Sequence, residues 1–279
     1  MPPITEAERR AALAAIVRRG SRPGSLAKAC LVVARGEYPL HDPTVSIEEL
    51  QRLSLRVRDV AGRGIRPPWR TLAEVLGRAE GFRGSGADYD SPENSYLNRV
   101  LAQHHGLPIL LSVIWIEVAR GAGIPARGIG LPGRFVVEIG RGKHSRLVDP
   151  FTGGRPLSIA EALELAVQAT GDPGLTPDDV LVASTPREIV LRVLANLANA
   201  YDRRGDVKRE LRVVSDQLAL APSNARLLAR RGDLRARQDD IHGGLEDLNL
   251  ALARLPAGEA FDRVRENARL LARLRESEN

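Results

Sequence analysis

The 279-residue chain has one cysteine, Cys30. A lone thiol excludes an intramolecular disulfide and any metal site built from several cysteines. Lysine is also scarce. Of 41 basic residues only Lys28, Lys143 and Lys208 are lysine, and the arginines alternate with acids in stretches such as DRRGDVKRELR and RRGDLRARQDD. The net charge of +6 therefore reads as salt-bridged helix faces, not as a phosphate-binding stripe. Nucleic acid is not the expected partner. The longest apolar run, ILLSVIWIEVA from Ile109, is too short to span a bilayer and reads as a buried helix. The N-terminus mixes acids with arginines, and its apolar run is too short for a secretory signal. A cytoplasmic location and no membrane partner are expected. GSG and GRG lack the strand–turn–helix setting of a phosphate loop. No His, Asp or Glu cluster has metal-ligand spacing, since adjacent His104 and His105 point their rings apart. Neither metal nor cofactor is expected.

What is present is an ordinary globular composition, 43% hydrophobic and 27% charged, with room for one large domain or two modest ones. Residues 1–79 read as a helical region. SLAKACLVVARGEYP has apolar positions at helical spacing, and SIEELQRLSLRVRDVAGRG opens with Ser46 and Glu49 at capping-box spacing. GFRGSGADYDSPENS is a loop by composition. Residues 80–185 form a core that packs with 1–79 as one domain. Its helix covers roughly Pro108 to Gly121, with proline at the first turn and glycine at the end. Three strand-like runs follow, RGIGL, RFVVEIG and SRLVDPF. In the second, Phe135 and Val137 alternate with Val136 and Glu138, which suits a half-buried strand. A central helix followed by an antiparallel sheet is an α+β arrangement.

Residues 186–279 are helical and repeat. DRRGD ends at Asp206 and ARQDD at Asp240, thirty-four positions later, and Pro222 matches Pro256 at the same offset. Leu211, Val214 and Leu218 match Leu245, Leu248 and Leu252. A period of 34 with a closing proline is the tetratricopeptide pattern. The expected partner is a protein or peptide held in the groove of these helices.

A nucleophile at the start of the core helix would gain from unpaired amides and the helix dipole. A histidine on the next strand could then act as base, oriented by an aspartate on the strand after. Gly106-Leu107-Pro108, GIPAR, LPGRF and VDP mark out that scaffold, and with them the chain resembles the transglutaminase-like fold, a relative of papain-type cysteine peptidases. The stretches NSYLNRVL, GLPILLS, ACLVVARGEYP and VDPFTGG are similar to the SirB family of bacterial transglutaminase-like proteins. The resemblance implies an α+β transglutaminase/papain-like core with N-terminal helices and an all-α tetratricopeptide segment. It places Pro108 where other transglutaminase-like proteins carry the cysteine, Arg134 in the histidine slot and Asp149 in the third position.

On that alignment the site is vestigial and the chain is not expected to be an enzyme. The alternative is a hydrolase or acyltransferase using Ser112, one turn beyond Pro108 on the same face. Ser112 would need an imidazole within reach. His104, His105 and His144 do not occupy the slot that would supply one, and the plainer role for Ser112 is a bond to a carbonyl inside its own helix. Arg134 has donors and no acceptor, so it can hold a carboxylate and cannot act as a base. It either pairs with Asp149, binds an anionic ligand or turns to solvent. Asn94 and Asn98 join Arg134 and Asp149 as ligand-binding candidates, with N-capping by Ser91 or Asn94 the competing role. Cys30, on an amphipathic helix, reads as a small buried hydrophobe.

Overall fold

The computed structural model describes residues 5–18, 20, 24–62, 66–84, 86, 88–142 and 145–277. The chain divides into two compact units, 1–193 and 194–279.

The first unit opens with α1 (Glu6–Arg18), α2 (Ser25–Ala34), α3 (Pro43–Gly62) and α4 (Pro68–Leu72), the last running on as a π-helix over Ala73–Ala79. Ser46 does not start α3. The helix begins three residues earlier at Pro43, where Asp42 accepts the Thr44 amide at 2.9 Å, and Ser46 lies inside the helix, buried and bonded to His41. Proline at the first helical position loses no hydrogen bond, so Asp42-Pro43 is the true start signal. Two-residue strands β1 (Arg83–Gly84) and β2 (His105–Gly106) pair in parallel on either side of α5 (Leu97–Gln103).

The core is built on α6 (Pro108–Gly121), in which Ile109 to Ala119 are all buried. It packs against α2 and α3, and against a four-stranded antiparallel sheet in the order β3 (Ala126–Ile129), β4 (Val136–Ile139), β5 (Arg146–Asp149), β6 (Arg155–Leu157). The register places Val137 opposite Val148 on the face toward α6, with Gly128 beside Ile116. Contrary to the half-buried expectation, β4 is covered on both faces. Ile129, Leu131, Val136, Leu147 and Leu157 form a second cluster with α7 (Ile159–Thr170) and α8 (Pro177–Val180). Phe135, Val136 and Val137 are accordingly all buried, while Glu138 is only half so.

After α9 (Pro186–Arg203), the second unit continues with α10 (Val207–Leu220), α11 (Ala225–Ala236), α12 (Ile241–Leu252) and α13 (Glu259–Ser277). Asp206 and Asp240 cap α10 and α12, each accepting the amide three residues on. Gly232 of α11 faces Gly244 of α12 so closely that a Cβ on either would lie 2.9 Å from the other's carbonyl oxygen. Among the described residues no helix is long and apolar enough to cross a membrane.

Candidate functional site

The site residues hang on α6 and on the loops at the ends of β4 and β5. Pro108 is the first residue of α6, behind the extended residue Leu107. The Leu107 amide donates to the Asn94 carbonyl at 3.0 Å, which fixes where the helix starts. One turn on, Ser112 is fully buried, and its hydroxyl donates to the Phe135 carbonyl at 3.4 Å. The expected bond inside the helix is thus replaced by a bond across to the sheet, because the residue before β4 passes directly over this face of α6. No described imidazole bonds Ser112. His104 is held by the Glu80 carbonyl and stacks on Phe82, and His105 bonds the Gln103 carbonyl. His144 lies outside the described residues.

Arg134 leaves the Pro132-Gly133 turn, and its Nη1 donates to Asp149 Oδ2 at 2.9 Å. The Asp149 side chain has no solvent exposure, whereas 30% of the Arg134 side chain is exposed. The other carboxylate oxygen, Oδ1, accepts the Phe151 amide at 2.9 Å. Burial holds the Asp149 carboxyl above the usual aspartate value, against the opposing pull of Arg134, the Phe151 amide and Arg155. The loop after β5 is pinned from below. Gly154, at φ +90°, lies against Trp115, and a Cβ there would sit 2.2 Å from the ring. Only glycine meets both demands.

Arg192 of α9 closes the far side, donating to the carbonyls of Leu131 (3.1 Å) and Arg134 (3.2 Å) and lying over the Phe135 ring. Arg134 itself sits over Phe151, whose ring meets Tyr89 edge-on. Burial pulls the Arg192 guanidinium below the ordinary arginine value, with Tyr89 opposing. Arg192 had no signal in PREIVLRVL beyond its place on a helix.

Asn94 and Asn98 are buried beside the start of α6 and do not join the Arg134–Asp149 pair. Asn94 donates to the Asp88 carbonyl and accepts from Gln103 at 3.1 Å, tying the loop to α5. Neither Ser91 nor Tyr96, the residues in the N-cap positions, caps through its side chain. Asn98 Oδ1 is buried without a hydrogen-bond partner. The Cys30 thiol is buried and pushed up to about 12 by desolvation, with the Glu117 carboxylate adding to the rise, so it is not a nucleophile at neutral pH. Among the described residues no three His, Cys, Asp or Glu side chains group to hold a metal ion. Chemically, the site presents a helix start without a side-chain donor, a buried hydroxyl bonded to backbone, and a carboxylate closed by arginine.

Residues 45–195 match the family model described as transglutaminase-like superfamily. A UPF0162 protein of Xylella fastidiosa is 34% identical over 259 residues, which cover 86% of this chain and 87% of the relative. A UPF0162 protein of Pseudomonas aeruginosa is 29% identical over 234 residues, 82% of this chain and 84% of that one. The F-box only protein 21 of Mus musculus is 25% identical over 159 residues, 53% of this chain and 24% of its own length. No solved structure matches the chain. The buried helix, the antiparallel sheet packed on it and these matches agree: the chain belongs to the transglutaminase-like superfamily.

Proposed function

We propose that this chain is a non-catalytic, SirB-like member of its superfamily that works in the cytoplasm by recognising a protein or peptide partner. The observation that carries this reading is the 2.9 Å ion pair between Arg134 and Asp149. It stands where the resemblance puts an imidazole and its orienting carboxylate, and the position that the resemblance gives to the nucleophile, the first residue of α6, is Pro108. A guanidinium offers no acceptor to take a proton, and proline offers no nucleophile. The Ser112 alternative lacks support for a base, since its hydroxyl is spent on the Phe135 carbonyl.

In this reading the helices of the second unit are tetratricopeptide repeats and supply the recognition surface. The 34-residue offset between the Asp206 and Asp240 caps and the Gly232–Gly244 approach support that reading.

Two measurements test the proposal. Broad serine- and cysteine-directed covalent probes should leave the wild-type chain unlabelled, and labelling that disappears in Ser112→Ala would overturn catalytic silence. A partner captured by the full chain should be lost on substituting the exposed Leu250 and Leu270 to Asp. A partner indifferent to every exposed substitution in residues 194–279 would remove the helices from the recognition surface.

A further inference from the structure

We propose that residues 66–78 of the first unit carry a docking surface for an acidic peptide segment of a partner protein. This surface is separate from the helices of residues 194–279 and does not rest on their role. Its platform is held from behind. Helix α4 starts at Pro68, behind Pro67, and runs on into the π-helix, with Thr71, Leu72, Val75 and Leu76 buried. Gly77 lies so close to the loop after β5 that a Cβ there would sit 1.9 Å from the Gly153 carbonyl oxygen. A Cβ on Gly154 of the same loop would lie 3.0 Å from Ala73 Cβ. An element fixed on its inner side presents its outer side chains before any partner arrives, which lowers the ordering cost of binding.

Those side chains form an open recess of about 560 Å³, lined by Arg66, Trp69, Arg70, Ala73, Glu74 and Arg78. Three guanidinium groups share it with one carboxylate. Among the described residues Arg66 and Arg70 make no ion pair. Arg78 meets Glu74 only at 3.7 Å, with 82% of its side chain exposed. Arg70 lies instead over the Trp69 ring, 5.2 Å from its centre. The recess therefore keeps an excess of positive charge beside an aromatic surface.

Charge and residue type together select the occupant. Guanidinium groups without neutralising acids complement carboxylates, whose planar geometry matches the arginine fork. Tryptophan and arginine are the residue types that carry most binding energy at protein interfaces. Half-buried Trp69 and Ala73 also offer an apolar contact beside the charges. A nucleic acid fits less well, because Glu74 would sit among its phosphates and a single indole gives no run of stacking positions. An open recess suits a segment of chain crossing it better than an enclosed small molecule.

The test is anisotropy of a short fluorescein-labelled peptide of glutamates around a central leucine, titrated with the full chain. Its glutamine counterpart and a labelled oligothymidylate are run beside it. The glutamate peptide should bind at least about tenfold more tightly than the glutamine peptide, and the preference should shrink as salt rises. Arg70→Glu should weaken it roughly tenfold or more. Glu74→Gln should tighten it about threefold, because it removes the one opposing charge. Both positions lie outside the core, and unchanged melting of each variant confirms its fold. The chain has two tryptophans, and Trp115 is fully buried, so an emission change on adding unlabelled peptide reports Trp69. That change should vanish in Trp69→Phe. No binding of the glutamate peptide, equal binding of the glutamine peptide, or tighter binding of oligothymidylate would each overturn the proposal. So would indifference to both Arg70→Glu and Glu74→Gln, or an emission change that survives Trp69→Phe.

Discussion

Glu117, the one acid in the apolar helix α6, accepts the Gly24 amide at 2.6 Å across 93 residues of sequence. Gly24 is the N-cap of α2 in a left-handed conformation, with no side chain of its own to offer. The Glu117 carboxylate also faces the amides of Leu26 and Ala27, so one core helix caps another from the side. Burial nevertheless holds its carboxyl above the usual glutamate value, against the pull of the Gly24 amide and Arg120. A carboxyl with a raised folded-state value contributes stability that is full below the unfolded value and is lost as pH rises through the folded one. Glu117→Gln should therefore flatten part of the decline in melting temperature above about pH 4. At pH 7 it should stay within about 1 kcal/mol of wild type, because the amide oxygen still accepts the Gly24 proton. Glu117→Leu removes the cap and should cost about 1–3 kcal/mol at every pH. Thermal melts across pH 4–8 measure both effects, and an unchanged slope in the Gln variant contradicts the assignment.

The Arg134–Asp149 pair predicts an asymmetry. Removing Arg134 strands a fully buried carboxylate whose burial is already unfavourable. Removing the Asp149 charge leaves a guanidinium that is part exposed and can turn toward water. After discounting for that exposure, Arg134→Met should cost about 2 kcal/mol and Asp149→Asn about 1 kcal/mol. Urea unfolding of the two single variants and the double variant measures the costs and their coupling. Equal costs, or the reverse order, would mean that Asp149 is held by the Phe151 amide rather than by Arg134.

If the helix start and the turn before β4 still form a catalytic scaffold, a thiol and an imidazole placed there should find each other. Pro108→Cys puts a thiol at the N-terminus of α6, and Arg134→His puts an imidazole beside Asp149. The double variant should alkylate with a thiol pKa at least about one unit below that of Pro108→Cys alone. The pH dependence of iodoacetamide labelling reads this directly. Cys30 gives no background near neutral pH, being buried with a value of about 12. Identical profiles for the single and double variants would show that the two positions do not meet.

Much of this core was legible in the chain, and the reasons differ by residue. Pro108, Gly121 and the apolar run between them mark α6 by local chemistry alone, and the residue types of β3 to β5 read as strands. The sheet's second cover did not show. The cluster formed by Leu147, Leu157, Ala162 and Ala166 depends on β6 and α7 folding back, which no local period records. Ser46 misled because a hydroxyl three residues before a glutamate is only half of a capping signal, and Asp42-Pro43 had already started the helix. At the site, Asp149 and Arg134 could be named from the motif, but their pairing rests on a 15-residue separation closed by two strands. Arg192 acts through two backbone carbonyls, and carbonyl acceptors leave no trace in residue identity.

The second unit gives a prediction whose sign is the test. Alanine is a better helix former than glycine by about 1 kcal/mol, so Gly232→Ala in the middle of α11 should stabilise an isolated helix. In this structure the new Cβ would lie 2.9 Å from the Gly244 carbonyl and 2.9 Å from Leu248 Cγ, below ordinary contact distance. The carbonyl belongs to the backbone of α12, and Leu248, one turn beyond Gly244 on the same face, is itself buried, so the strain cannot relax by a rotamer change alone. Parting the two helices would loosen that packing along the hairpin. Overpacking of this kind costs about 1–3 kcal/mol, which outweighs the propensity gain. Gly232→Ala and Gly244→Ala should each lower stability in urea, and the pair together should cost less than the sum, because helices already parted by one methyl accommodate the second. Stabilisation by either variant would mean that α11 and α12 pack less closely than this, and would remove the close helical hairpin from the argument for repeats.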